Sequence, residues 1–326
     1  MVSSAAPLRI VFFGTPDFAV PTLQALIESR HPVVAAVTQP DRPRGRGQRP
    51  HAPPVKDLAL RHGLPVLQPE RLRNEDFLSA LKALNADLGV VAAYGKILSD
   101  AVLQIPHKGL INVHASLLPK YRGAAPIHRA VMAGETTTGV TIMRVVKALD
   151  AGPMISSASR AIGPDETSSE VEQALAMIGA EALVKAVDAL AGGTAVEIPQ
   201  EEAQSTYAHR LEKTDGVVDW SRPASAIHNQ IRGLHPWPHA YSDLDGERTI
   251  LLQSHVETEQ QQDGRRVEPG TIIEAAGDVL GVQTGKGVLR ILELQREGRR
   301  PVSAREFLAG RRLPEGAKFV KSPQSA

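Results

Sequence analysis

The sequence predicts an α/β protein, a doubly wound parallel sheet followed by a small β-barrel. Three observations predict it. Short apolar runs alternate with segments of helical periodicity through the first half of the chain. Two of those runs close on a glycine, Gly14 and Gly95, which places both turns at one edge of a sheet. Beyond His209 the pattern changes to short β-rich runs separated by turn residues at regular spacing.

Taken in order, Leu8 to Gly14 reads as a buried strand, and Pro21 to Arg30 carries apolar residues at helical spacing. This strand-then-helix opening is Rossmann-like, but its single glycine cannot form the G-x-G-x-x-G turn that cradles a dinucleotide. Pro32 to Thr38 is a second, valine-rich strand. Lys56 to His62 reads as a short helix, Leu64 to Leu67 as a short strand and Asn74 to Ala86 as a helix. Asp87 to Gly95 is a further buried strand.

Between the second strand and the next helix lie Arg42, Arg44, Arg46 and Arg49, with no acidic residue from Asp41 to Asp57. Proline and glycine interrupt this run, so it reads as a mobile arm with little apolar content to hold it down. A solvated surface loop is the plain alternative. Contact with phosphates is the sharper reading.

Gly109 to Pro119 is the stretch the rest is organised around. Leu110, Ile111 and Val113 make a buried strand, and Asn112 and His114 sit two residues apart on it. Residues i and i+2 of a strand project from one face, so an amide and an imidazole converge. The chain leaves through Ser116 and Pro119 into the small-residue run Arg122-Gly123-Ala124-Ala125-Pro126. The carboxyl edge of an open α/β sheet is where ligands bind. Ala125 to Ala133 reads as a helix, Thr138 to Val146 and Ile155 to Ile162 as strands, and Gly152-Pro153 turns the chain between them. Asp150 therefore sits on a loop, as a turn former or as a third polar group of the same site. Thr167 to Leu190 is a long helix, with Thr167 and Glu170 at capping-box spacing.

The expected organisation is a catalytic domain over residues 1–190, a polar linker over 191–208 and a barrel domain over 209–326, which suits a chain of 326 residues. Zero cysteines exclude disulfides, thiolate metal sites and a cysteine nucleophile. The histidines show no metal-ligand spacing, so no metal is expected. With no secretory signal pattern and no apolar run of membrane-spanning length, a cytoplasmic location and no membrane partner are expected, and a monomer. Residues 208–285 carry seven basic against twelve acidic residues, whereas 286–326 carry ten against four. The end of the barrel, with Arg296, Arg299, Arg300, Arg305, Arg311, Arg312 and Lys318, thus reads as a solvated basic face or a nucleic-acid footprint.

Asn112-Val113-His114, Ser116-Leu117-Leu118-Pro119 and Leu149-Asp150-Ala151-Gly152 together resemble the signature of the 10-formyltetrahydrofolate-dependent formyltransferases. The stretches Phe13 to Ala19, Gln39 to Pro43, Arg122 to Ile127 and Pro236-Trp237-Pro238 narrow the resemblance to the members that act on aminoacylated initiator tRNA. It runs nearly end to end. The resemblance implies a formyltransferase fold that binds folate, with Ser116, Leu117, Leu118 and Pro119 along the cofactor, and an OB-like barrel that helps hold tRNA. Arg44 departs from the family's small residue at its position, and Pro153 from a frequent polar one.

The chemistry can be argued beside the resemblance. Moving a formyl group to an amine passes through a tetrahedral carbon whose oxygen gathers negative charge, and an amine proton must leave. Asn112 suits oxyanion stabilisation, since its amide can donate to that oxygen. An imidazole gives or takes a proton near neutrality, which suits His114. Asp150 would orient the ring or relay the amine proton. Two other readings stand beside this one: a formyltransferase acting on a nucleotide sugar or purine precursor, and a non-catalytic RNA-binding protein on a degenerate fold.

Overall fold

The structure is a computed structural model that describes residues 6–44, 49–257 and 267–322. It divides into two compact units. Residues 1–123, 138–160 and 172–208 form the first, and 124–137, 161–171 and 209–326 the second.

In the first unit, strand β1 (Ile10–Gly14) is buried at every position, as a central strand covered on both faces must be. Gly14 ends it because nothing larger fits: a Cβ there would stand 2.6 Å from the Phe12 ring and 2.9 Å from Ala19. Helix α1 (Val20–Glu28) leads to β2 (Val33–Val37). The short strands β3 (Arg42–Arg44) and β4 (Arg49–His51) come next, then α2 (Pro54–Arg61) and β5 (Val66–Leu67). Helix α3 (Glu75–Ala83) is capped by Asn74, whose side chain accepts from the Asp76 and Phe77 amides. Strand β6 (Leu88–Ala92), helix α4 (Asp100–Leu103) and strand β7 (Leu110–His114) complete the parallel part.

The chain then makes the two-residue strand β8 (Arg122–Gly123), helix α5 (Pro126–Ala133) and the strands β9 (Thr137–Arg144) and β10 (Met154–Ala161). The sheet order is β10-β9-β7-β6-β1-β2-β5. Strands β7, β6, β1, β2 and β5 run parallel, but β9 lies antiparallel to β7. The parallel sheet expected from the alternation is there, with an antiparallel edge that makes it mixed, mostly parallel. The reason is α5. A parallel return needs a crossover helix on the sheet. Instead α5 is fastened within the second unit, where Arg129 grips both oxygens of Asp215 at 3.0 and 2.8 Å.

Helix α6 (Ser168–Gly192) starts on the expected capping box: the Glu170 carboxylate accepts from the Thr167 amide at 2.8 Å. Gly179 lets it lie close on the sheet, since a Cβ there would stand 2.9 Å from Val113. Val113 thus faces α6. By strand alternation Leu110, Asn112 and His114 take the opposite face. Leu110 joins the core of Val11, Phe13, Leu81 and Tyr94, while Asn112 and His114 lie further along, towards the carboxyl end.

Residues 191–208 do not stand apart as a linker. Ile198 bridges Met154, and β11 (Tyr207–Ala208) pairs with β8, because these residues find backbone partners along the first unit. In the second unit helix α7 (Ala224–Gly233) is followed by β12 (Ala240–Leu244), β13 (Glu247–Glu257), β14 (Ile272–Ala276), β15 (Val279–Gln283) and β16 (Val288–Arg296). Strand β17 (Val302–Ser303), helix α8 (Ala304–Gly310) and strand β18 (Phe319–Val320) finish it. The sheet order β14-β15-β16-β13-β12-β18 makes an antiparallel half-barrel. Its core includes Trp220 and Phe319, stacked at 5.3 Å, with Leu251, Leu280, Leu289 and Phe307. Among the described residues no helix is long and apolar enough to cross a membrane.

Candidate active site

His114 ends β7 and is only 5% exposed. Its Nε2 lies 2.9 Å from the carbonyl oxygen of Tyr121. A carbonyl only accepts, so Nε2 carries a proton and donates it. The other nitrogen, Nδ1, lies 3.7 Å from Oδ2 of Asp150, close enough for charge to be felt and too far for a hydrogen bond. The expected partner of the imidazole is thus present, but the ring is oriented by a backbone carbonyl that gave no signal in the sequence.

Asp150 comes from the loop between β9 and β10 and sits at φ +47°, a left-handed position unusual for a residue with a side chain. Two features hold it there. Its Oδ2 accepts the Gly123 amide at 2.8 Å. Two residues on, a Cβ at Gly152 would overlap the Arg144 carbonyl, so the turn packs tightly against the end of β9. Asn112 shares the strand face of His114 and is half-buried, and its amide has no hydrogen-bond partner among the described residues.

The loop after β7 is built differently from expectation. The Ser116 hydroxyl donates to the Lys120 carbonyl at 2.7 Å, and the Ser116 carbonyl accepts from Thr141 at 2.7 Å. Thr141 in turn accepts from the Leu118 amide at 3.1 Å. Ser116 and Leu118 are buried, and these polar groups serve the loop itself. Leu117 and Pro119 are the half-buried members, so what the segment presents is chiefly apolar.

Arg122, expected in a small and flexible run, is instead an anchor, 2% exposed. Its guanidinium meets Glu202 at 2.8 Å and the Gln200 side-chain oxygen at 3.1 Å. Burial works against its charge, but the bonds to Glu202 and Tyr207 more than offset this and leave its pKa above the ordinary guanidinium value. Gln200 and Glu202 lay in a polar stretch with no motif to mark them.

The arginine arm is paired at its described flanks. Its described flanks form a two-stranded ribbon, with Arg42 opposite His51 and Arg44 opposite Arg49. Arg42 is exposed, and Arg46 lies outside the described residues. The ribbon is tied at its base by Asp41, which accepts from Lys56 at 2.7 Å and Gln68 at 2.7 Å. The bond from Gln68, and then that from Lys56, holds the Asp41 carboxyl below its usual pKa. On the half-barrel, much of the expected basic face is neutralised by pairs. Arg296 binds Glu247, Arg311 binds Asp245 and Glu247, Arg300 binds Glu306 and Lys318 binds Glu268. No group of three or more His, Asp or Glu among the described residues is placed to hold a metal ion.

A mixed α/β sheet followed by an antiparallel half-barrel is the formyltransferase architecture. Residues 8–187 match the formyl transferase family model, and residues 210–312 match that of the formyl transferase C-terminal domain. Among solved structures, the fold is similar to an N-formyltransferase from Helicobacter canadensis in complex with folinic acid and dTDP-3-aminofucose. The TM-score is 0.66 at 16% identity, covering 89% of this chain and 99% of that one. It is also similar to HypX from Aquifex aeolicus in complex with tetrahydrofolic acid. There the TM-score is 0.63 at 16% identity, covering 93% of this chain and 47% of that one. Sequence relatives are much nearer. The methionyl-tRNA formyltransferase of Geobacter metallireducens is 47% identical over 314 residues, 96% of this chain and 99% of that protein. That of Heliobacterium modesticaldum is 46% identical over 316 residues, 96% of this chain and 100% of that protein. The chain belongs to the methionyl-tRNA formyltransferase family.

Proposed function

We propose that the chain transfers the formyl group of 10-formyltetrahydrofolate to the amino group of methionyl-initiator tRNA, in the cytoplasm, for translation initiation. The observation that carries this reading is the site itself. An amide without a hydrogen-bond partner among the described residues shares one strand face with an imidazole, and a carboxylate stands beside the imidazole. Folate, when bound, supplies the activated formyl group. The apolar surfaces of Leu117 and Pro119 suit a flat aromatic ring, and Ser116 and Leu118 support them from within the loop.

Asn112 donates its amide N–H to the formyl oxygen as negative charge gathers there. His114 works through Nδ1, because Nε2 is committed to Tyr121. In the neutral ring Nδ1 carries the lone pair. It accepts the proton released by the attacking amine and returns it to the folate nitrogen as the bond between that nitrogen and the formyl carbon breaks. While the ring is positive, Asp150 lies 3.7 Å from it and stabilises it. Arg42, Arg44 and Arg49 of the ribbon, together with Arg46 of the same sequence run, meet tRNA phosphates.

The test is single-turnover transfer of labelled formyl from 10-formyltetrahydrofolate to charged initiator tRNA, with a nucleotide-linked amino sugar as rival acceptor. Transfer to tRNA alone is expected. Transfer to the sugar alone would reassign the substrate, and transfer to neither would remove the activity.

A further inference from the structure

The stretch from Gln200 to Ala208 supplies no group to the chemistry above, yet it backs the site. Gln200 Nε2 donates to the carbonyl oxygens of both Asp150 and Gly152, each at 2.8 Å. Its side-chain oxygen accepts from Arg122 Nε at 3.1 Å. A guanidinium has no acceptor, so the amide can point only one way, with its nitrogen on the two carbonyls. Arg122 is itself held by both oxygens of Glu202, at 3.1 and 2.8 Å.

The same segment holds the two backbone groups that touch the site. Thr206 accepts from the Tyr121 amide through its hydroxyl and from the Arg122 amide through its carbonyl, both at 2.8 Å. Strand β11 then pairs Tyr207 with Arg122 and Ala208 with Gly123. Tyr121 is the residue whose carbonyl orients His114, and Gly123 the one whose amide holds Asp150. Gln200 therefore links the two halves: it joins the Asp150 turn to Arg122, which sits between those two residues.

Asp150 needs such support. A non-glycine residue at φ +47° is strained and stays there only if its surroundings require it. We infer that Gln200 is a positioning residue for the transfer, fixing the Asp150 turn through its two carbonyls so that the carboxylate stays beside His114 Nδ1. This rests on the reading that Asp150 takes part in the reaction.

The experiment compares Gln200→Met, Gln200→Glu, Asp150→Asn and the double variant Gln200→Met/Asp150→Asn with the wild type. It measures kcat, KM for folate donor and charged tRNA, melting temperature and the pH–rate profile. Methionine keeps the volume and loses the amide. Glutamate keeps an acceptor for Arg122 and sets oxygen against the two carbonyls, which also provides a second variant should Gln200→Met not fold. Both single Gln200 variants are expected to lose about 10- to 100-fold in kcat, the scale of a misplaced catalytic group, with each KM within about twofold. Their pH–rate profiles should change as that of Asp150→Asn does. In the Asp150→Asn background, Gln200→Met should add less than about threefold, because the two residues act as a unit. If Asp150→Asn alone leaves kcat and pH profile intact, the role of Asp150 falls and the inference with it. If Asp150→Asn is impaired while the Gln200 variants keep wild-type kcat, the inference alone is overturned. A full additional loss in the double variant also overturns it, since Gln200 would then act through the fold and not through Asp150.

Discussion

Tyr121 offers its carbonyl oxygen to Nε2 of His114 at 2.9 Å, from a left-handed backbone position of its own at φ 60°. That one bond decides which imidazole nitrogen is available, and it turns Nδ1 towards Asp150. With Asn112 on the same strand face, the two side chains converge on one side of the sheet. Replacing either Asn112 or His114 by Ala should lower turnover far more than it weakens folate binding. For Asn112→Ala the expected loss is about 10²–10³, the usual cost of one oxyanion donor. Rapid-quench transfer rates set beside folate titration check this, and near-normal turnover with an intact fold would remove Asn112 from the mechanism.

Asp150→Asn should preserve the fold and lower turnover. Asparagine keeps an oxygen for the Gly123 amide, which Asp150 now engages at 2.8 Å, but brings no charge to the imidazole. The pH–rate profile is therefore expected to shift or flatten. A profile superimposable on that of the wild type would mean that the carboxylate only braces the loop.

Replacing Arg42, Arg44, Arg46 and Arg49 by Ala should spare folate affinity and raise the apparent KM for tRNA. Each lost phosphate contact should flatten the salt dependence of tRNA binding by a slope of roughly 0.7 to 0.9. Arg42, exposed at the base of the ribbon beside the anchored Asp41, should hurt turnover beyond its share of that slope when replaced alone. Affinity measured against salt for wild type, Arg42→Ala and the quadruple variant decides this. Identical slopes across the three would make the ribbon an ordinary solvated surface.

Tyr94 gives a prediction for stability. It is 2% exposed, lies edge-on to Phe13 with ring centroids 5.7 Å apart, and its hydroxyl has no partner among the described residues. Burial pushes its pKa from 10.0 up to about 12. A raised folded-state pKa stabilises the protein fully below the unfolded value and is lost as pH climbs through the folded one. The loss should therefore fall between pH 10 and 12, on the order of 2 kcal/mol. Tyr94→Phe removes that part of the alkaline loss, and at neutral pH is neutral or slightly stabilising because no bond is broken. Urea unfolding at pH 8 and at pH 11.5 tests both statements. An equal alkaline loss in the two proteins would contradict the assignment.

The second half of the chain shows how far local pattern carries. Strands β13 and β16 could be read from apolar runs because buried positions alternate along much of each, whereas β15 and helix α7 are buried more continuously. Strand β12 carries no such signal, since its Ala240-Tyr241-Ser242-Asp243-Leu244 is mostly polar or small in text yet nearly all buried in the sheet. The hydroxyl of Ser242 is buried because it accepts from Trp220 at 2.9 Å and donates to the Val320 carbonyl at 2.7 Å, partners about twenty and eighty residues away. Charge pairing is hidden from the sequence for a similar reason: Arg296 pairs with Glu247, 49 residues away, and Arg311 with Asp245, 66 residues away.

For the site, the sequence by itself determined that Asn112 and His114 share one strand face, because alternation is a local property of an extended chain. It also determined that Asp150 lies on a turn, through Gly152-Pro153. Tertiary structure alone decided that Asp150 meets His114, that Tyr121 orients the ring, and that Gln200 and Arg122 join the two loops. The deciding groups there are backbone carbonyls and amides, which every residue carries. Only the folded chain selects which of them face one another.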